Sequence, residues 1–113
     1  ITIEIVESGK ANFCYSDSNN YDDVFHIGLG EVLCKSDPKM VYCGLFEQGE
    51  KIRVIVYAGD EISKEKSAGD IVKSISQILG GAGGGSAKFA QGGGTDKSKK
   101  EDAIKNAKSM IIE

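Results

Sequence analysis

The chain has 113 residues, of which 40% are apolar, and a net charge of −3. This length fits one domain with a modest core, and no apolar run approaches the ~20 residues of a membrane-spanning helix. The three cysteines, Cys14, Cys34 and Cys43, are an odd number without a CxxC pair, so neither a disulfide scaffold nor a zinc site is predicted.

The first predicted elements are two strands and a helix. The segment ITIEIVE, residues 1–7, alternates β-branched and polar residues, which predicts a half-buried strand. A turn-rich stretch follows, with a short strand at Phe13–Tyr15. Apolar residues at helical spacing from Tyr21 to Lys35 predict a helix that ends before Pro38. His26, the single histidine, lies among apolar neighbours in this helix, and we expect it to be structural.

A hairpin comes next. The apolar runs KMVYCGLF and KIRVIVYAG are joined by EQGE, which predicts two antiparallel strands with Gly49 at the turn. The nearly continuous apolar segment VIVYA indicates a central strand covered on both faces.

Two helices complete the predicted fold. SAGD at Ser67–Asp70 has the pattern of a capping box before an apolar stripe, and Gly80 ends that helix. SKKE at Ser98–Glu101 is a second capping box before the closing helix. The predicted fold is therefore α/β, a small mixed sheet of three or four strands packed by about three helices. A glycine-rich loop is expected between the last two helices.

That glycine-rich segment, Ile78–Gly94, reads ILGGAGGGSAKFAQGGG and has eight glycines in seventeen residues. Such a run can be a flexible linker, a phosphate-binding loop, or backbone that lies close to a large partner. Because both flanking segments are predicted helices with buried stripes, a linker between domains does not fit. The segment is expected to belong to the domain itself.

Nucleotide-binding motifs also fail to match. Gly80 and Gly85 have the spacing of a Walker loop, but Ser86 stands where the motif requires lysine. The dinucleotide pattern GxGxxG ends wrongly at Ser86 and follows a helix where it should follow a strand. With a single histidine, neither a catalytic triad nor a metal site can be read from the sequence.

Charge is divided unevenly along the chain. Residues 1–62 have five Lys or Arg against eleven Asp or Glu, whereas residues 63–113 have nine Lys against six Asp or Glu. The net charges of the two parts are thus −6 and +3, and the glycine-rich segment lies in the basic part. This polarity favours an anionic partner for that part of the chain.

The stretch AGDIVKSISQILGGAGGGSAKFAQGGG, residues 68–94, resembles the signature of the C-terminal domain of alanyl-tRNA synthetase, which is also a DHH-associated domain. In that family a helix opening with AG runs into GGxGGG, then into AQ and a second glycine cluster. The resemblance covers residues 39–113 well and residues 1–38 weakly. It implies a single domain over residues 1–113, the C-terminal globular fragment of a longer cytoplasmic chain.

By this resemblance the domain is a non-catalytic module that docks on the outer corner of tRNA and assists aminoacylation and editing. ATP, Mg²⁺ and Zn²⁺ would be used by upstream domains, with no cofactor in this fragment. Its partners would be alanine-specific tRNA and those upstream domains, with a homodimer as a further arrangement and no membrane. We expect neither aminoacylation, deacylation nor nuclease activity from the fragment.

The expected RNA-binding surface combines bare backbone with lysines, because RNA is recognised largely by shape and phosphate charge. The glycines could serve close packing within the domain or contact with RNA. Gln91 could orient the segment or touch RNA. Phe89 could stack on a base or anchor the segment in the core. The predicted binding residues are Lys73, Gly83, Gly84, Gly85, Ser86, Lys88, Gln91, Gly92, Gly93, Gly94, Lys97, Lys99 and Lys100.

A second hypothesis is the substrate-binding domain of a RecJ-like DHH-family phosphodiesterase or nuclease, which has the same fold. In those enzymes the glycine cluster is usually followed by a histidine that helps hold substrate phosphate. Ser86 occupies that position here, which favours the synthetase hypothesis. The Arg-Pro-Asp-like segment of many synthetases is also replaced, by Ser86, Ala87 and Lys88.

Overall fold

A computed structural model of the chain describes residues 2–7, 12–17 and 23–112. Six strands and three α-helices follow one another as three repeats of strand, strand and helix, with 3₁₀ turns at Ile62–Lys64 and Lys97–Lys99. The elements are β1 (Thr2–Glu7), β2 (Asn12–Asp17), α1 (Asp23–Ser36), β3 (Met40–Gln48), β4 (Lys51–Ala58), α2 (Ala68–Ile78), β5 (Ala82–Gly85), β6 (Phe89–Gly94) and α3 (Lys100–Ile112).

The strands form one mixed sheet in the order β1-β2-β3-β4-β6-β5. Strands β2 and β3 are parallel, and α1 connects them as a crossover helix, while every other neighbouring pair is antiparallel. The predicted α/β class is confirmed, but the predicted number of strands is too low. The difference comes partly from the glycine-rich segment, which forms β5 and β6 where a loop was expected.

The hairpin predicted at Gly49 is present, and its two strands are the centre of the sheet. Gly49 has φ +62°, a conformation that residues with a Cβ adopt only at a cost. Ile52, Val54 and Ile55 of β4 are fully buried, because helices cover both faces of the strand. This agrees with the reading of VIVYA as a central strand.

Two apolar layers lie on opposite faces of the sheet. On one face α2 packs over β4, β5 and β6, and α3 packs on α2 and β2, with Ile71, Ile75 and Ala103 fully or almost fully buried. On the other face α1 packs over β3 and β4, and Cys34 of the helix belongs to the same buried cluster as Tyr42 of β3. The side chains of residues 1–7, which were predicted to be half-buried, lie outside the described part of the chain. Tyr21, the predicted start of the helix, also lies outside it.

The polar residues singled out in the core are structural. His26 is fully buried, and its Nδ1 lies 2.7 Å from the hydroxyl oxygen of Tyr42. All three cysteines are buried free thiols, and burial raises the pKa of Cys34 and of Cys43 to about 12. The thiols are therefore protonated and shielded, as expected for core residues.

Neither predicted capping box forms. Ser67 is the N-cap of α2, but its side chain makes no capping hydrogen bond. At the start of the 3₁₀ turn before α3, Asp96 accepts from the backbone N–H of Ser98, so the predicted cap residue is itself a donor. The C-terminal stop of α2 at Gly80 is confirmed by its φ of +78°.

Candidate nucleic-acid interface

The glycine-rich segment forms a closed hairpin whose turn lies against the start of α2. In the turn, Ser86 N–H donates to the carbonyl of Phe89 at 2.8 Å, and the Phe89 N–H donates to Ser86 Oγ at 3.1 Å. The N–H groups of Ala68 and Gly69 donate to the carbonyls of Ala87 and Ser86, at 2.9 and 3.0 Å. The hairpin therefore occupies donors at the N-terminus of α2 that could otherwise bind an anion.

Helix α2 lies directly on the hairpin backbone. A Cβ on Gly83 would lie 2.7 Å from Val72 Cγ1, and a Cβ on Gly92 would lie 2.5 Å from Ser76 Oγ. Gly69 of the helix faces the carbonyl oxygen of Gly85, where a Cβ would lie 2.9 Å away. These approaches leave no room for a side chain on the glycines, so Val72 and Ser76 of the helix pack directly on the hairpin backbone, and at Gly69 the two backbones meet.

At three further glycines of the hairpin a side chain would also overlap neighbouring backbone atoms. A Cβ on Gly93 would overlap the carbonyl oxygen of Ile52, and one on Gly94 would overlap that of Leu79. On Gly85 it would lie 2.5 Å from the carbonyl oxygen of Phe89. Packing within the domain thus accounts for glycine at these positions, although RNA contact there stays a prediction.

Gly84 differs from the other hairpin glycines. The nearest atom to a Cβ there is Lys73 Cε at 3.7 Å, an ordinary contact distance, and its φ is not positive. The structure thus brings together two predicted site residues, Gly84 and Lys73, at the β5 edge of the sheet. Of the hairpin glycines, Gly84 is the one at which the packing would leave room for a side chain.

Two of the predicted lysines, Lys88 and Lys97, lie at opposite ends of one strand. Lys88 lies at the turn of the hairpin and Lys97 follows the far end of β6, a strand roughly 20 Å long. Lys99 is in the 3₁₀ turn with its Nζ 3.9 Å from Asp102, and the half-buried Lys100 begins α3.

Lys88 and Lys97 lie closer to carboxylates than Lys99 does. Lys88 Nζ is 2.7 Å from Asp60 Oδ1, and Lys97 Nζ is 3.0 Å from Glu47 Oε1 and 2.8 Å from the carbonyl of Gly49. The hydrogen bond with Lys88, together with its charge, lowers the pKa of Asp60, and the same bond raises the pKa of Lys88. The positive charges at 88 and 97 are therefore partly compensated inside the domain.

Gln91 and Phe89 both make contacts within the domain. Gln91 is exposed, and its Oε1 accepts a hydrogen bond of 3.4 Å from Arg53 Nη2 of β4. Phe89 is half-buried, with its ring centroid 5.6 Å from that of Tyr57. This contact supports the anchoring interpretation of Phe89.

Beside Gln91 lies a cleft that the sequence predictions missed. Lys51 and Arg53 line it from β4, and its volume is about 400 Å³. We call it the Arg53 cleft; its lining also includes Gly81, Ala82, Gln91, Gly93 and Thr95. A signal was present in KIRVIVYAG, because Lys51 and Arg53 alternate with the buried Ile52 and Val54 and so leave the core on one face. Which strand lies beside them could not be read from that alternation.

Within residues 2–7, 12–17 and 23–112, no group of three His, Cys, Asp or Glu side chains is placed to hold a metal ion. No helix in this described part is long and apolar enough to cross a membrane.

Comparisons with known proteins agree with the sequence resemblance. The DHHA1 domain family matches residues 12–113. Alanine–tRNA ligase of Nitrosopumilus maritimus is 50% identical over 103 residues, covering 91% of this chain and 11% of that protein. The corresponding ligase of Cenarchaeum symbiosum is 43% identical over 92 residues, covering 81% of the chain and 10% of the ligase. The chain thus spans about a tenth of the length of the curated relatives it matches.

Two solved structures share the fold. The C-Ala domain from Aquifex aeolicus alanyl-tRNA synthetase matches with a TM-score of 0.89 and 25% identity, over 97% of this chain and 99% of that one. A DHH-domain protein described as a member of the s1p family of ribosomal proteins matches with a TM-score of 0.68 and 15% identity, over 98% of this chain and 28% of that chain. The second match shows the fold alone. The resemblance to the C-terminal domain of alanyl-tRNA synthetase is confirmed.

Proposed function

This chain belongs to the DHHA1 domain family, and from that premise we propose that it is the non-catalytic, tRNA-binding C-terminal module of an alanine–tRNA ligase. The observation that supports this most strongly is the match to the C-Ala domain, which extends over nearly all of both chains. Relatives with 50% and 43% identity are alanine–tRNA ligases. In this role the module positions tRNA, and the chemistry takes place in upstream domains.

The hairpin and its surroundings offer what RNA binding needs. Shape, phosphate charge and 2′-hydroxyl groups dominate the recognition of folded RNA, and small residues let a polymer approach the backbone closely. The exposed β5 edge at Gly84, with Lys73 beside it, provides both features. The wider proposed surface comprises the predicted binding residues of the hairpin and the lysines at 97, 99 and 100.

The remaining partners and cofactors are assigned to the longer protein. The use of ATP, Mg²⁺ and Zn²⁺ by upstream domains belongs to this proposal, as the resemblance to alanyl-tRNA synthetase implies. The alanine-specific tRNA and those domains are the proposed partners. Dimerisation belongs to the same proposal and would join two copies of the ligase, in the cytoplasm.

The phosphodiesterase hypothesis has less support. Its structural match has 15% identity and a TM-score of 0.68, against 25% and 0.89 for the C-Ala domain. Ser86 also lacks the ring nitrogen of the histidine expected in that branch, and its Oγ is engaged with the Phe89 backbone.

The proposed function is tested by removing the module from the full-length ligase. Deleting it should lower kcat/KM for tRNA alanylation while leaving ATP–pyrophosphate exchange with alanine unchanged, because only the first reaction uses tRNA. The isolated 113-residue chain should bind folded tRNA more tightly than single-stranded RNA of equal length. Unchanged alanylation after deletion would overturn the proposal, and RNA cleavage by the chain with Mn²⁺ would favour the phosphodiesterase.

A further inference from the structure

Two cations of β4 lie outside the predicted lysine set. Strand alternation places Lys51 and Arg53 on the face opposite the buried Ile52 and Val54. Among the described residues, neither cation lies within ion-pair distance of a carboxylate, unlike Lys88 and Lys97. Their charges are thus available to an external anion.

The register of the sheet explains why a cleft opens beside them. Arg53 pairs with Gly93 of β6, and Gly93 pairs with Ala82 of β5. Across these three neighbouring strands a long side chain is therefore followed by two positions with almost no side chain. The next row on the same face runs from Ile55 through Gln91 to Gly84. Small residues therefore form the floor, and Arg53 and Gln91 stand above it as a wall.

The volume of the cleft restricts its occupant. Ligand sites typically enclose about 300–1,000 Å³, and the Arg53 cleft, at about 400 Å³, is at the small end of that range. It has room for one nucleotide but not for a duplex. A floor of exposed peptide groups can also accept a flat base.

The polar groups suit a phosphodiester. The guanidinium of Arg53 is a planar fork that can bind two phosphate oxygens, and its Nη2 donates a hydrogen bond of 3.4 Å to Gln91 Oε1 beside the cleft. The amide nitrogen of Gln91 is left to donate to a ribose or base oxygen. Lys51 adds a second positive charge from the same face of the strand.

We propose that the Arg53 cleft binds one phosphate-bearing nucleotide of the RNA, with Arg53 and Lys51 on the phosphate and Gln91 orienting Arg53. This inference rests on the proposed function, because it names the part of the surface that holds the RNA backbone. It also assigns the phosphate contact to cations that precede the glycine-rich segment by some twenty-five residues in the sequence.

The test uses the 113-residue chain, which has its own core and whose fold is matched end to end by a separate C-Ala chain. Affinity for folded tRNA is measured by fluorescence anisotropy at several salt concentrations, alongside melting temperature. Arg53→Gln and Lys51→Gln should each weaken binding several-fold and lower the salt slope by about one. Lys105→Gln is the charge-matched control, because Lys105 is exposed on α3 over the opposite face.

A second pair of variants adds a carboxylate without removing a cation. Gln91→Glu keeps the side-chain shape and places a negative charge beside Arg53. It should therefore weaken tRNA binding about as much as Arg53→Gln. Gln77→Glu adds the same charge on the exposed face of α2 and should weaken binding less.

The outcomes separate the two proposals. If the parent binds tRNA and the double variant Arg53→Gln, Lys51→Gln has the affinity and salt slope of Lys105→Gln, the cleft inference is wrong while the proposed function stands. If an acidic peptide binds the parent and loses affinity with these same substitutions while tRNA affinity is unchanged, the cleft is a protein-docking site and the inference is likewise wrong. If the parent does not bind tRNA at all, the proposed function fails and the cleft inference fails with it.

Discussion

Gly92 of β6 faces Ser76 of α2 so closely that a Cβ on Gly92 would lie 2.5 Å from Ser76 Oγ. Both residues lie where the helix crosses the hairpin, and Ser76 is fully buried. Most of the glycines are therefore required because a helix packs directly on the backbone of two strands.

This contact predicts that Gly92→Ala destabilises the domain. The added methyl group would overpack the interface, at a cost of about 1–3 kcal/mol, which for a domain of this size lowers the melting temperature by several degrees. Gly84→Ala is the matched control and should change stability by less than about 0.5 kcal/mol, since its Cβ would meet only Lys73 Cε, at the ordinary contact distance of 3.7 Å. Thermal and urea unfolding measure both, and equal losses for the two variants would contradict the packing account.

Gly84→Val should separate binding from folding. Because the nearest neighbour of a Cβ at Gly84 is Lys73 Cε at 3.7 Å, the variant should stay folded with nearly the parental melting temperature. A branched side chain at the β5 edge should nevertheless hold RNA away from the backbone and weaken tRNA binding. A folded variant that binds tRNA as well as the parent would show that RNA does not approach the hairpin at Gly84.

Lys88→Ala should have little effect on the salt dependence of tRNA binding. The Lys88 charge is partly compensated by Asp60, 2.7 Å away, so its loss should lower the salt slope by less than one unit. Asp60→Asn offers the complementary test, because it frees Lys88 and should leave binding equal or slightly stronger. The slopes come from anisotropy titrations between low and physiological salt, and a fall of a full unit for Lys88→Ala would show a direct phosphate contact.

Alkaline pH should destabilise the domain through its buried thiols. Burial raises the pKa of Cys43 from 9.0 to about 12, so above pH 9 the unfolded chain loses this proton while the folded chain keeps it. The unfolded state then binds fewer protons, and stability falls as pH rises from 9 towards 12, by up to about 1.4 kcal/mol per pH unit for one group. Below pH 9 this thiol contributes no pH dependence.

Cys43→Ala isolates that contribution. Its free energy of unfolding should fall less steeply with pH above 9 than that of the parent, even though the variant is less stable at pH 7. Urea unfolding at pH 7, 9 and 10 gives the two curves, and parallel curves would mean that Cys43 does not have a raised pKa in the folded state.

Local patterns were enough for several elements. The hairpin at Gly49 and the central strand β4 follow from apolar runs on either side of a turn, and the C-terminal end of α2 follows from Gly80. These features depend on residues close together in the chain. The predicted helix stripes on α2 and α3 were right for the same reason, since helix periodicity is a local property.

Other features depend on partners distant in sequence. The capping box at Ser67 was wrong because the hairpin turn, some twenty residues later, supplies carbonyl groups to the N–H groups of Ala68 and Gly69. The five predicted lysines were grouped around one segment, but the extended β6 separates Lys88 from Lys97. Each lies beside a carboxylate from earlier in the chain, Asp60 after β4 and Glu47 within β3. Sequence proximity does not report such pairings.

The sequence by itself determined the family, through a glycine spacing specific enough to identify the domain, and it determined the α/β class through hydrophobic periodicity. Only the tertiary structure decided that the glycines form two strands, because a glycine run has no side-chain pattern from which strand or loop can be distinguished. It also decided which cations line a cleft. Arg53 and Gln91 are 38 residues apart and meet only because β6 pairs with β4, and strand pairing between distant segments is fixed by packing of the whole core.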